Sequence, residues 1–131
     1  MSSRPTILIA DDQPHMLMLL QASLAPIGAR ILTAKSGEDA LLKAAATTID
    51  LLLTDFEMGG LTGVETVRQL KERPPYGNLP IIMITARGQN RVRVDAMQAG
   101  VTLILPKPFS PAELLETVQR LLAEAANIPP L

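Results

Sequence analysis

At 131 residues the chain is the length of one domain, and its formal net charge of −1 gives no overall field to attract a phosphate backbone. Three aromatic residues, Phe56, Tyr76 and Phe109, offer no stacking platform for single-stranded nucleic acid, and the absence of cysteine excludes disulfides and thiolate chemistry. Hydrophobic residues at 47% suffice for one packed core, but no apolar run reaches the roughly 18 residues of a membrane span. The start, Met1-Ser2-Ser3-Arg4-Pro5, carries no signal-peptide pattern. A soluble cytoplasmic protein with no direct nucleic-acid or membrane partner is the expectation.

In chain order, Thr6-Ile7-Leu8-Ile9-Ala10 is continuously apolar, as a strand covered on both faces requires, and it stops at Asp11-Asp12. Pro14 suits a first helical position; Leu17, Leu20, Leu24 and Ile27 form an apolar face that Pro26 and Gly28 close. Residues 30–34 read as a second strand. Ser36 and Asp39 form a variant capping box ahead of a helix with Leu41, Leu42 and Ala45 inward. Residues 51–54 are a third strand that runs into Asp55 and the turn Phe56-Glu57-Met58-Gly59-Gly60. Thr62 and Glu65 cap a third helix with Val64, Val67 and Leu70 inside. Pro74-Pro75-Tyr76-Gly77-Asn78 is turn chemistry, followed by the apolar strand 81–84 that Thr85 ends.

Residues 87–100 have weaker helical periodicity, carried by Val92, Ala96 and Ala99, with Gly100 as the stop. A fifth strand spans residues 101–105 and breaks at Pro106-Lys107-Pro108. Ser110, Pro111 and Glu113 then open a last helix with Leu114, Val118, Leu121 and Leu122 inward. Residues 1–126 read as a single domain and 127–131 as a tail or linker stub. Met16, Met18, Met83 and Met97 read as core filling. His15 reads as an ordinary residue near a helix start, and Arg87, Arg91 and Arg93 read as a solvated helix face rather than a partner-facing basic patch.

Five strand–helix alternations imply a flavodoxin-like α/β sandwich of three layers, with a parallel five-stranded sheet in the order 2-1-3-4-5. Ligands of such sheets bind beyond the carboxyl ends of the strands. Those ends carry Asp11-Asp12, Lys35, Asp55, Thr85-Ala86 and Pro106-Lys107, and the strand order brings Asp11, Asp12 and Asp55 together while Lys35 stays outside. Three adjacent carboxylates need a cation, and oxygen-only ligands point to a hard ion such as Mg²⁺. Lys107 adds an ammonium and Thr85 a hydroxyl. Metal, ammonium and hydroxyl suit the oxygens of a phosphoryl group in transfer, which makes Asp55 the nucleophile that accepts it.

Asp11-Asp12, Asp55 with Met58 and Gly63, Ile84-Thr85-Ala86 and Lys107-Pro108-Phe109, in that order, resemble a response-regulator receiver domain of two-component signalling, over roughly Thr6 to Leu122. The resemblance implies that Asp55 takes its phosphoryl group from a sensor histidine kinase or phosphotransfer protein, and that the chain catalyses only its own phosphorylation and dephosphorylation. It implies that Asp12 ligates Mg²⁺ directly, that Asp11 acts through water, and that the Glu57 backbone carbonyl completes the set. Thr85, Ala86 and Lys107 would contact the phosphoryl group, and Lys107–Pro108 would be cis. Output would pass through the fourth helix, fifth strand and fifth helix to an effector, with phosphorylation-linked homodimerisation allowed.

This sequence departs from that pattern in three places. Gly59-Gly60 replaces the proline common after the methionine. Ile104 stands where a switching aromatic is usual. Glu57 and Arg87, each two residues past a site residue, are placed to pair across the rim. Two other readings compete. An aspartate-nucleophile, Mg²⁺-dependent phosphatase of the haloacid-dehalogenase type would use Glu57 as its second acid, and an interaction module independent of phosphorylation would use the same fold. A flavodoxin-like cofactor binder needs a phosphate loop that Asp11-Asp12-Gln13-Pro14 does not provide.

Overall fold

Apolar runs with no polar alternation can hide every side chain only between two helical layers, and this requirement builds the architecture. The computed structural model describes residues 4–86 and 90–126. Strands β1 (Thr6–Ala10), β2 (Arg30–Ala34), β3 (Leu51–Asp55), β4 (Ile81–Thr85) and β5 (Leu103–Pro106) alternate with helices α1 (Pro14–Leu24), α2 (Gly37–Ala46), α3 (Gly63–Lys71), α4 (Asn90–Ala99) and α5 (Pro111–Ala126). The sheet is parallel in the order β2-β1-β3-β4-β5, as the sequence implied. Every residue of β1, β3 and β4 is buried, whereas the edge strands β2 and β5 are only partly covered. Leu8, Leu52, Ile81 and Met83 face one core with α2, α3 and α4; Ile7, Ile9, Leu51, Leu53, Ile82 and Ile84 face the other with α1 and α5. Each such fully buried aliphatic side chain contributes about 1.5–3 kcal/mol of transfer free energy.

Local signals set most element ends. Pro14 stands in the first turn of α1. Thr62 and Glu65 form a reciprocal capping box at α3. At α2 the Ser36 hydroxyl accepts from the Asp39 N–H, but the Asp39 carboxylate turns to the Lys35 N–H, so the box there is not reciprocal. The buried face of α2 is Ala40, Leu41 and Ala44 rather than Leu41, Leu42 and Ala45; Leu42 is 70% exposed. Adjacent residues lie about 100° apart around a helix, and small alanines against the sheet let α2 approach closely, so one of the two leucines is turned outward. Met18 and Met97 are likewise on the surface, at 70% and 50% exposure, and are not core filling. Strand β5 begins at Leu103, two residues later than the apolar run. Val101 instead donates its N–H to Ala96 O, and the Thr102 hydroxyl accepts from the Ile81 N–H. Helix α4 buries Val92, Ala96 and Ala99, and residues 127–131 lie outside the described residues. Among the described residues no helix is long and apolar enough to cross a membrane.

Tyr76, in a 3-10 turn after α3, pins the connection into β3. Its hydroxyl donates to Ala44 O at 2.7 Å and accepts from the Ile49 N–H at 3.2 Å, with the ring 4% exposed. Tyr76→Phe leaves both backbone groups without this partner and should lower the unfolding free energy by about 1–3 kcal/mol in urea titration; an unchanged midpoint would show that the hydroxyl is dispensable.

Candidate functional site

The ladder register ranks the strand ends. Ala10 pairs with Thr54, so Asp11 and Asp55 stand level at the ends of the neighbouring strands β1 and β3. Asp55 pairs with Ile84 and Thr85 with Pro106, so Thr85 lies one residue further out and Lys107 one further again. Backbone bonds fix each step. The Asp11 N–H donates to Ala34 O at 3.0 Å and the Lys107 N–H to Thr85 O at 2.9 Å. The Asp11 carboxylate accepts from the Gln13 N–H at 2.9 Å, which holds the turn into α1. Asp55 Oδ1 accepts from the Phe56 N–H at 2.9 Å and pairs with Lys107 Nζ at 3.0 Å. Gly63, at the start of α3, presses on this strand end: its N–H donates to Phe56 O, and an added Cβ would lie 2.3 Å from the Asp55 carbonyl oxygen.

Asp11, Asp12 and Asp55 each place a carboxylate oxygen within 4.8 Å of the others. An open cavity of about 300 Å³ lies over them, lined by Asp12, Gln13, Asp55, Glu57, Met58, Thr85, Ala86 and Lys107. Lys35 is exposed at the outer strand, and His15 is exposed on α1 and does not line the cavity. Ile104 is half-buried, pairs in register with Met83 and packs on the core beneath α2, α3 and α4. The Lys107–Pro108 peptide is cis. The rim pair expected of Glu57 and Arg87 falls on Arg87, outside the described residues. Gln13 was missed by sequence reasoning; its position directly after the acidic pair was the only signal.

A family model described as the response regulator receiver domain matches residues 7–119. The chain is 35% identical over 121 residues to the phosphate regulon transcriptional regulatory protein PhoB of Rhizobium meliloti (strain 1021), covering 92% of this chain and 53% of that protein. It is 37% identical over 121 residues to the transcriptional regulatory protein ResD of Bacillus subtilis (strain 168), covering 92% of this chain and 49% of that one. The chain thus spans about half the length of these curated relatives. Among solved structures, the chemotaxis response regulator CheY4 of Vibrio cholerae superposes with a TM-score of 0.85 at 30% identity, covering 91% of this chain and 99% of that one. A response regulator receiver protein from Pseudomonas putida gives 0.84 at 28% identity, covering 92% and 99%.

Burial raises the pKa of both Asp11 and Asp55 above the usual carboxylate value. At Asp55, the Lys107 ammonium and the Phe56 N–H oppose that rise, and the Asp12 charge adds to it. At Asp11 the Gln13 N–H opposes it, and the Asp55 charge adds to it. When all three acids are ionised, Lys107 balances one and leaves two negative charges in excess, which is the charge of one divalent cation. The donors are all oxygen, so the residues fit a hard ion such as Mg²⁺. Because the folded-state pKa of Asp11 lies above its reference value of 3.8, ionised Asp11 detracts from stability at neutral pH. That loss shrinks as pH falls through the folded-state pKa and is gone below the unfolded-state value. Asp11→Asn keeps an oxygen acceptor for the Gln13 N–H and removes the charge. The metal-free variant should therefore unfold at higher urea than wild type at pH 7, with the gain shrinking toward about pH 4; an equal or lower midpoint at pH 7 contradicts this.

Proposed function

This chain belongs to the response regulator receiver family, and from that membership we propose that Asp55 is the phosphoacceptor of a signalling switch. The observation that carries the reading is the Asp55–Lys107 pair at 3.0 Å beside two further carboxylates. A carboxylate oxygen of Asp55 attacks the phosphorus of a phosphohistidine on a sensor histidine kinase or phosphotransfer protein. The new O–P bond forms as the P–N bond breaks, and the imidazole leaves with the electron pair and takes a proton from solvent. The contacts of Oδ1 with Lys107 and the Phe56 N–H set the rotation of the carboxylate before the donor arrives. Lys107 then stays beside the transferred group as a fixed positive charge, and Thr85 and Ala86, which line the same cavity, would contact it.

Asp11, Asp12 and Asp55, with the Glu57 backbone carbonyl, would hold Mg²⁺, which supplies neutralisation of charge on the phosphoryl oxygens. The chain turns over no separate substrate; it promotes only its own phosphorylation and dephosphorylation, and works in the cytoplasm. Family membership favours this reading over the phosphatase, and the acidic cluster with its Lys107 partner favours it over an interaction module on the same fold that works without phosphorylation. Because Ile104 is not aromatic, the signal leaves through Thr85, the loop after it and α4, toward a recipient on the face of α4, β5 and α5; phosphorylation-linked pairing of two chains would use the same face.

The test is incubation with acetyl phosphate and Mg²⁺ followed by intact-mass measurement. Wild type should gain the mass of one phosphoryl group, lost on treatment with hydroxylamine, and Asp55→Ala should gain none. Lys107→Ala should be labelled at least about tenfold more slowly, the worth of about 1.4 kcal/mol of lost charge stabilisation. A wild type that stays unlabelled where other receivers are labelled overturns the reading.

A further inference from the structure

The loop between β3 and α3 is built from residues that do little to fix it. Met58, 8% exposed, anchors one end and the Thr62 cap the other. Between them lie Gly59, around which an added Cβ would meet nothing within 4 Å, and Gly60 at φ +82°. Two successive glycines leave a chain with unusual conformational freedom. The same loop supplies Glu57 and Met58 to the cavity wall, next to Asp55.

A carboxylate from across the fold reaches this weak point. Glu38, in the first turn of α2, accepts the Leu61 N–H at Oε1 over a long 3.4 Å. Its side chain also covers Gly60 so closely that a Cβ there would lie 2.5 Å from Oε2. The approach depends on Gly37, where a Cβ would lie 2.1 Å from Thr66 Oγ1 and 2.9 Å from Leu61 Cβ. Leu61 itself packs against the core beneath α2 and α3. Helix α2 thus grips the loop through one hydrogen bond and two close glycine contacts.

We propose that Glu38 is a positioning residue: by holding the Leu61 N–H it fixes the glycine-rich loop, and with it the Glu57 backbone, at the mouth of the acidic site. Glu38 touches no reacting atom. Its effect on the site comes from narrowing the set of loop conformations, so fewer states must be frozen when a cation or phosphoryl group binds. This inference rests on the reading of the cavity as a magnesium and phosphoryl site, while the tether itself does not.

The test compares wild type, Glu38→Gln and Glu38→Ala by two readouts. Amide hydrogen exchange at Leu61, in metal-free protein, reports the tether; magnesium titration by calorimetry reports the site. The Ala variant should exchange its Leu61 amide faster and bind Mg²⁺ about three- to tenfold more weakly, as loss of one exposed hydrogen bond implies. Its thermal midpoint should change little, because Glu38 is exposed. The Gln variant retains an oxygen acceptor and should stay close to wild type in both readouts. An Ala variant with wild-type exchange and wild-type affinity overturns the proposal. So does a Gln variant as weak as Ala, since charge rather than the held N–H would then be responsible. If wild type binds no Mg²⁺, the reading of the site fails, and the exchange comparison alone then decides the tether.

Discussion

Three carboxylates share one end of a buried sheet, and this crowding governs the site. Asp11 is 1% exposed and Asp55 9%, so neither can shed its charge into water easily. Their oxygens and those of Asp12 lie within 4.8 Å. Such a group is unfavourable in a low dielectric unless positive charge is brought to it. The fold supplies one such charge, Lys107, through the register that sets β5 beside β4 and the backbone bond from Lys107 to Thr85. The remaining excess of two negative charges matches the charge of one divalent cation. Burial of the charged acids costs stability locally, and the fully buried strands β1, β3 and β4 offset it.

The parts of this architecture that local physics decides were legible in the residues. Continuous apolar runs mark doubly covered strands, and an acid closing such a run marks the functional end of the sheet, so Asp11, Asp12, Asp55, Thr85 and Lys107 could be placed together before any coordinates. The Thr62–Glu65 box was equally readable, because both partners lie within one turn. Features set by packing between distant segments were not. The rotation of α2, which turns Leu42 out and Ala40 and Ala44 in, depends on how closely the helix sits on the sheet. The start of β5 depends on Thr102, whose hydroxyl takes the Ile81 N–H and whose own N–H goes to Ile81 O before the strand begins. Glu38 lies 23 residues from Leu61, and no local pattern announces their contact.

Two of the three departures from the receiver pattern, Gly59-Gly60 and Ile104, fall on described residues. Gly59, where proline is common, removes a conformational restraint near Asp55, and α2 contacts the loop only beyond it, at Gly60 and Leu61. Ile104 is a compact, branched side chain packed on the core, unable to swing as a large ring would.

The crowding of charge can be tested most directly through stability. Urea unfolding of wild type and Asp12→Asn should be compared with and without Mg²⁺ at neutral pH. At ten times its dissociation constant the ion should raise the unfolding free energy of wild type by about 1.4 kcal/mol, and should raise that of Asp12→Asn far less. A wild type whose stability is unmoved by millimolar Mg²⁺, or an Asp12→Asn variant stabilised as strongly as wild type, would contradict a site built around a shared cation.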